Sequence, residues 1–514
     1  MSAGEQPKGR GRSRAPGSSR ARAGARGLVL CVIDALAPGP LAEALARGDT
    51  PILAELIERG FHTNACVAPF PSVTPVCAAS ITTGYSQDQH GVPAMCWFDR
   101  DRDAYVEYGS SLSAARRVGI ARQLTDTVYN LNRSHLSPAI ETIFERLDGA
   151  GIRTACTTYL IFRGRHRHEP RRDDFLTKLA APLMRHAVMG PRELFYADIF
   201  ASRPLPCNSL LGMPGVRDRH AACVAEHLLA EELCDFLLLS LPDNDWHSHR
   251  GGPRAQVRSL AQADAHLGAV IAAAGGIERF LERYGLIVMG DHAQSEVLRT
   301  IDLFKAFDSH RPRRPGRPSE GRERLAICPS QRAAMLYALP GPPPAATLRA
   351  LAARALALEG VELACHLAHE ERGGAPEAVI ASVRSGELRI RPGGDWVDAR
   401  GASWAIAGDR RALALELADG RVASPQHPDA LGRIWAALAC QRAGDVLLSA
   451  APGYEFLDIG GQAHPGGGSH GSLCAEDSLT ALIACGLARQ PGEREQWAIS
   501  DVAEMVCSHF GLGS

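Results

Sequence analysis

The sequence predicts a doubly wound α/β fold: a mostly parallel sheet flanked by helices, with an inserted α+β cap subdomain. Three observations carry that expectation. Leu28–Asp34, Phe236–Asp243 and Gly285–Asp291 are largely apolar runs that end in a carboxylate, the pattern of strands buried on both faces of a parallel sheet. Helical spacing of apolar residues fills the intervals between such runs. After about residue 300 the character changes to an Arg-, Pro- and Gly-rich stretch at 308–323 followed by short β-like pieces. The expected division is a basic tail at 1–27, the first part of the core at 28–300, an insert at 301–440 and the rest of the core at 441–514.

In order, Leu28–Asp34 is the first strand. Residues 41–59 read as one helix, with Leu41, Leu45, Ile52, Leu53, Leu56 and Ile57 on its apolar face and Gly60 as its stop. Residues 61–68 read as a strand, and 75–83 as a small-residue helix closed by Gly84. A helix at 138–147 and a strand at 153–158 precede a basic, His-rich loop at 163–172. The helix at 218–233 leads to the strand Phe236–Leu241, the helix at 254–274 to the strand 285–290. Within the insert, Ala333–Leu339 and Glu387–Arg391 read as strands and Ala346–Leu358 as a helix. Asp445–Ser449 is expected to return to the core sheet, before a Gly-rich loop carrying His470 and a final helix at 501–511.

With 514 residues, 45% of them hydrophobic, the chain can bury a sizeable core. With a formal charge of −1, nothing in the bulk balance argues for nucleic acid or a membrane surface, and no specific nucleic-acid binding is expected. The tail is the exception: Lys8, Arg10, Arg12, Arg14, Arg20, Arg22 and Arg26 face a single acid, Glu5, in a setting too polar to order itself. No run approaches the ~20 apolar residues of a membrane span, and no secretory signal is evident. Of fourteen cysteines, Cys31, Cys66, Cys77, Cys156, Cys234, Cys328 and Cys485 sit in apolar or strand-like contexts. Buried, reduced thiols are expected, and with them a cytoplasmic location.

Seven metal-capable side chains fall where strands should end: Asp34, Thr74, Asp243, His247, Asp291, His292 and His470. Asp243 and His247 share a face if a helical turn follows the strand. Their oxygen and nitrogen donors suit Zn²⁺, with Mn²⁺ as the alternative. Asp291 and His292 are adjacent, so both reach one site only if the chain turns there, and Gly290 is the candidate hinge. Asp245 and His249 flank the first phrase as supporting residues or as solvated ones; His464 shares a loop with His470. Thr74 lies between a strand and a helix, where helix N–H groups favour anions. A metal would lower its pKa and free it to attack. An ordinary N-cap is the competing reading.

The joint order of these phrases resembles the alkaline phosphatase superfamily, and within it the type I phosphodiesterase/nucleotide pyrophosphatase family. The matching residues are Asp34, Thr74, Thr83-Gly84, His90-Gly91, Pro242-Asp243 to His247, Asp291-His292 and Gly468-Ser-His470-Gly471. The likeness spans about 28–300 and 445–511. It implies two Zn²⁺ ions, one on Asp34, Thr74, Asp291 and His292, the other on Asp243, His247 and His470. It also implies a small-molecule phosphoester substrate and a phospho-threonine intermediate. One departure stands out: Met95 occupies the place where many members carry an Asn that binds a phosphoryl oxygen. Asn130, Asn132, Asn244, Arg163, Arg165, His166 and His168 are the substitutes the sequence offers. The alternatives are a phosphomonoesterase or phosphonate hydrolase, or a non-catalytic ligand-binding relative. The Cys-x-Pro-x-Arg of sulfatases is absent.

Overall fold

The computed structural model describes residues 27–173, 175–180, 182–368, 375–383 and 385–513. The basic tail falls on residues 1–26, outside the described residues.

Nine strands form the central sheet: β1 (Gly27–Ile33), β2 (Phe61–Val67), β3 (Thr154–Cys156), β4 (Glu193–Tyr196), β5 (Phe200–Ala201), β6 (Phe236–Leu241), β7 (Tyr284–Met289), β8 (Leu479–Cys485) and β9 (Trp497–Ala498). Their order is β9-β2-β8-β7-β1-β6-β3-β4-β5. The middle is parallel: β1 pairs with β6 on one side and β7 on the other. β8 runs antiparallel between β7 and β2. Because Ile33 is level with Leu241 and Val32 with Met289, three chains leave the sheet together. Those exits carry Asp34, the 242–251 segment and Asp291, at the carboxyl ends where such sheets bind ligands.

The alternation along β1 shows why the strand had to be apolar throughout. Leu28, Leu30 and Val32 pack into one core with Val76, Cys77 and Ile81, while Val29, Cys31 and Ile33 pack into another with Leu41, Leu53, Leu56 and Leu267. The helix α1 (Thr74–Thr83) lies on the first of these faces and α3 (Gln256–Ala273) on the second, while α2 (Asp243–Gly251) follows β6 at its carboxyl end. Gly84, at φ +82°, closes α1 in the left-handed cap that glycine favours.

Three expectations change. The stretch 41–59 is two helices, Pro38–Arg47 and Pro51–Arg59, because Gly48 caps the first in the left-handed region and Pro51 opens the second. The helix expected from 138 starts only at Ile143, where Thr142 and Glu145 form a capping box. The third concerns Val446–Ala450, which does not rejoin the central sheet. It lies between Ala333–Ala338 and Val361–Ala368 in a second, mostly antiparallel sheet that also holds Leu325–Ser330, Glu377–Ser382 and Glu387–Val397. The chain re-enters the central sheet at β8. An apolar strand reads alike in either sheet, so only pairing separates them.

The two sheets are joined through buried charge. Arg332, at the start of Ala333–Ala338, pairs with Asp477 beneath β8 and donates to the carbonyls of Tyr454 and Ala451 at 3.0 Å each. Its backbone N–H donates to His470 O at 2.9 Å. Removing one partner of such a pair strands the other charge, so Arg332→Leu should lower stability by about 3–5 kcal/mol. Urea denaturation checks this, and a loss below about 1 kcal/mol contradicts it.

The seven cysteines singled out above are free and buried. Cys207 and Cys223, however, are disulfide-bonded, with Cα atoms 5.9 Å apart. No single helix among the described residues is long and apolar enough to cross a membrane.

Candidate metal centre and active site

Five of the seven residues singled out in the sequence come together. His292 Nε2 lies 3.6 Å from Asp34 Oδ1, 3.5 Å from Asp291 Oδ2 and 3.4 Å from Thr74 Oγ1. Two ligands at ~2.0–2.1 Å from a tetrahedral zinc sit about 3.4 Å apart, so these spacings fit one ion. The His470 ring stacks on His292, with centroids 3.7 Å apart.

The chain turns at these strand ends for local reasons. Asp291 Oδ1 accepts from the N–H groups of Ala35 at 3.1 Å and His292 at 2.9 Å, tying two exits into one. Gly290 supplies space rather than unusual backbone angles: a Cβ there would sit 2.0 Å from Thr480 Oγ1. Thr74 occupies the first turn of α1, at the positive end of the helix.

Asp243 and His247 are not in this cluster. The Asp243 carboxylate accepts from Gly215 N and Arg217 Nε at 2.9 Å each and from Asp218 N at 3.1 Å, which fastens α2 to the preceding segment. Asp245 and His249 stand where those two were expected. Asp245 lies 3.3 Å from His249 Nε2 and 3.7 Å from His470 Nε2, and groups with His292 and His470. At ~100° per residue, positions 243 and 247 point about 200° away from 245. The Asp-x-x-x-His spacing occurs twice here in overlapping registers. What separates them is that the carboxylate of residue 243, the first of the helix, is spent on Gly215, Arg217 and Asp218.

Each imidazole is oriented alike. His292 Nδ1 is 3.2 Å from Ala293 O, His249 Nδ1 2.8 Å from Gly468 O, and His470 Nδ1 2.7 Å from Ser72 O. A ring N–H given to a carbonyl turns the Nε2 lone pair inward, as at metal sites. The electrostatics call for a cation. Burial, then Asp291 and Asp245, push Asp34 well above the usual carboxylate range, and its Oδ1 is buried without a hydrogen-bond partner. Burial and the neighbouring His292 push His470 down. Burial opposes ionisation of Asp245, but His249, His470 and His292 outweigh it and hold the carboxyl low. The residues present therefore fit divalent ions.

The cluster opens into a cleft of ≈ 530 Å³, walled by Leu124, Val128, Leu160, Met184 and Ile199 and reached by Arg217 and Arg250. Met95 is on its wall. The substitutes considered for the missing Asn are engaged elsewhere. Asn244 donates to the carbonyls of Asp34 and Ala35, Asn132 to Leu160 O and Asn130 to Asp126. Arg163 serves Glu145 and three carbonyls, Arg165 serves Glu141, and His168 meets Pro191 O. His166 faces Asp148 at 3.6 Å. Sequence reasoning passed over Tyr159, whose hydroxyl is buried, has no hydrogen-bond partner and borders the same cleft as Asp34, Thr74 and Asp291. His90 is structural, 3.3 Å from Ser80 Oγ, and Trp97 and Phe98 are core.

By its family and fold the chain is a phosphoester hydrolase of the alkaline phosphatase superfamily. Residues 28–473 match the model of the type I phosphodiesterase/nucleotide pyrophosphatase family, and the chain belongs to that family. No curated protein matches. Among solved structures it is similar to murine ectonucleotide pyrophosphatase/phosphodiesterase 5, at 15% identity over 95% of each chain with TM-score 0.55. It is also similar to phosphonoacetate hydrolase from Sinorhizobium meliloti 1021, at 15% identity over 95% of this chain and 96% of that one, again with TM-score 0.55. An inactive form of the murine protein was solved with AMP, and the hydrolase with phosphonoformate.

Proposed function

We propose that this hydrolase cleaves a phosphodiester or pyrophosphate through Thr74, at a site for two divalent ions. Asp34, Thr74, Asp291 and His292 would hold one ion, and Asp245, His249 and His470 the other. The donor set of oxygens and imidazole nitrogens suits Zn²⁺. Bound there, such ions supply Lewis-acid charge and acidify the threonine hydroxyl. The observation that carries the reading is Thr74 Oγ1 at a helix N-terminus, 3.4 Å from His292 Nε2.

Thr74 gives up its proton to solvent and Oγ1 attacks phosphorus. The O–P bond forms as the leaving oxygen departs with its electron pair and is protonated by solvent. Water then cleaves the phospho-threonine ester and restores the hydroxyl. The apolar wall at Leu124, Val128, Leu160 and Met184 favours an ester whose leaving group has an apolar or aromatic body. A phosphonate with a small charged group would leave that wall in contact with water. Hydrolysis of bis-p-nitrophenyl phosphate against p-nitrophenyl phosphate and phosphonoacetate, each with added Zn²⁺ or Mn²⁺, tests the order: diester turnover should lead, and turnover of phosphonoacetate alone would reverse it.

Tyr159 replaces the donor lost at Met95. Burial, with Asp291 and Asp34 nearby, raises its pKa well above the usual tyrosine range, so the phenol stays protonated and can donate to a phosphoryl oxygen. Tyr159→Phe should lower kcat by about 10²-fold without changing metal content. Met95→Asn in that background should recover part of the loss. Unchanged kcat in Tyr159→Phe would rule the role out.

A further inference from the structure

We infer that Glu362, His427 and Cys474 form a separate site for a single zinc ion, away from the residues assigned to hydrolysis. Cys474 Sγ is 3.4 Å from Glu362 Oε2, and His427 Nε2 is 3.9 Å from the same oxygen. One donor atom from each of the three lies within 4.8 Å of the others. Ligands at ~2.0–2.3 Å from a tetrahedral zinc are separated by about 3.3–3.6 Å, so the two sides that meet at Glu362 are close to that spacing and the third, within 4.8 Å, closes as the side chains draw onto the ion. Sulfur, imidazole nitrogen and carboxylate oxygen together are a set that zinc accepts and that magnesium and calcium do not.

The surroundings are built to hold these groups in place. His427 Nδ1 lies 3.4 Å from Leu413 O, which leaves Nε2 facing Glu362, as in the three imidazoles of the catalytic cluster. The His427 backbone N–H donates to Ser424 Oγ at 3.1 Å, and Ser424 Oγ in turn donates to Leu413 O at 2.7 Å. The N–H of Ala475 donates to Gln426 O at 3.0 Å, joining the two loops. His427 and Cys474 are buried, while the Glu362 side chain is 19% exposed, giving an ion access and a fourth position for water.

The three ligands come from different parts of the fold. Glu362 is on the second-sheet strand Val361–Ala368, His427 precedes the helix Ala430–Ala439, and Cys474 is four residues beyond His470. An ion here clamps the second sheet to the loop that presents His470. Binding is balanced by release of the Cys474 thiol proton to solvent, forming a zinc–thiolate bond with no change of oxidation state.

Cobalt substitution tests the site by a route independent of hydrolysis. The full-length protein is stripped with chelator and reloaded with Co²⁺, without thiol reductant so that Cys207 and Cys223 stay bonded. A thiolate-to-cobalt charge-transfer band in the near ultraviolet is expected, because the catalytic cluster offers only oxygen and nitrogen donors. Cys474→Ser should abolish the band, and with Zn²⁺ it should bind one equivalent less than wild type. Asp34→Asn should keep the band, so loss of the catalytic reading and loss of this one are distinguishable. Absence of the band in the wild-type protein, or its survival in Cys474→Ser, overturns the site. The wild-type spectrum decides even if the variant does not fold.

Discussion

Thr74→Ala should reduce hydrolysis of bis-p-nitrophenyl phosphate by about 10⁴-fold or more, the scale on which removal of a covalent nucleophile acts. The expectation follows from the position of one oxygen. Thr74 Oγ1 stands at the start of α1 and within 3.4 Å of His292 Nε2. Alanine keeps the helix start, since the Val73 side chain before it makes no cap bond and Thr74 Oγ1 is not needed as one. Stability and overall metal content should therefore change little, because Asp34, Asp291 and His292 remain. Thr74→Ser separates nucleophile from scaffold: it retains a hydroxyl and should keep measurable turnover. Full activity in Thr74→Ala would remove threonine from the chemistry and leave direct attack by water.

The second large effect distinguishes two overlapping phrases. Asp245→Asn or His249→Ala should remove one equivalent of metal, measured by elemental analysis after gel filtration, and activity with it. At zinc a hundredfold above its dissociation constant, the lost linkage lowers stability by about 2.7 kcal/mol. Asp243→Asn should keep both ions. It should still destabilise the protein, by about 2 kcal/mol, because Arg217 and two backbone N–H groups lose their anionic acceptor. His247→Ala should be near neutral in both measurements. A loss of metal in Asp243→Asn but not in Asp245→Asn would restore the register expected from the sequence and overturn the geometric one.

Strand ends were legible because a strand buried on both faces must be apolar until it leaves the sheet, and Asp34 and Asp291 mark two such exits. His292 and His470 were legible from their neighbours, a strand end and a glycine-rich loop. Helical phase was not. Asp243 and Asp245 differ only in which way a helix that starts at residue 243 points them, and spacing of four is the same for both pairs. The second sheet was under-read for a similar reason: Val446–Ala450 is as apolar as β6, and sequence carries no record of its partners. Tyr159 left no signal at all, since an unpaired hydroxyl is a property of its surroundings. The Cys207–Cys223 bond was missed because a spacing of sixteen residues says nothing about approach in space.

One consequence of the Arg332–Asp477 pair reaches beyond stability. The backbone of Arg332 holds the carbonyl of His470, and its guanidinium fixes Asp477, whose other oxygen accepts from Ser472 N at 2.9 Å. The second sheet is thus part of the jig that sets the imidazole's position. Splicing out the second sheet would remove the N–H that holds the His470 carbonyl and the cation that fixes Asp477, and so loosen the imidazole even if every residue of the cluster were kept.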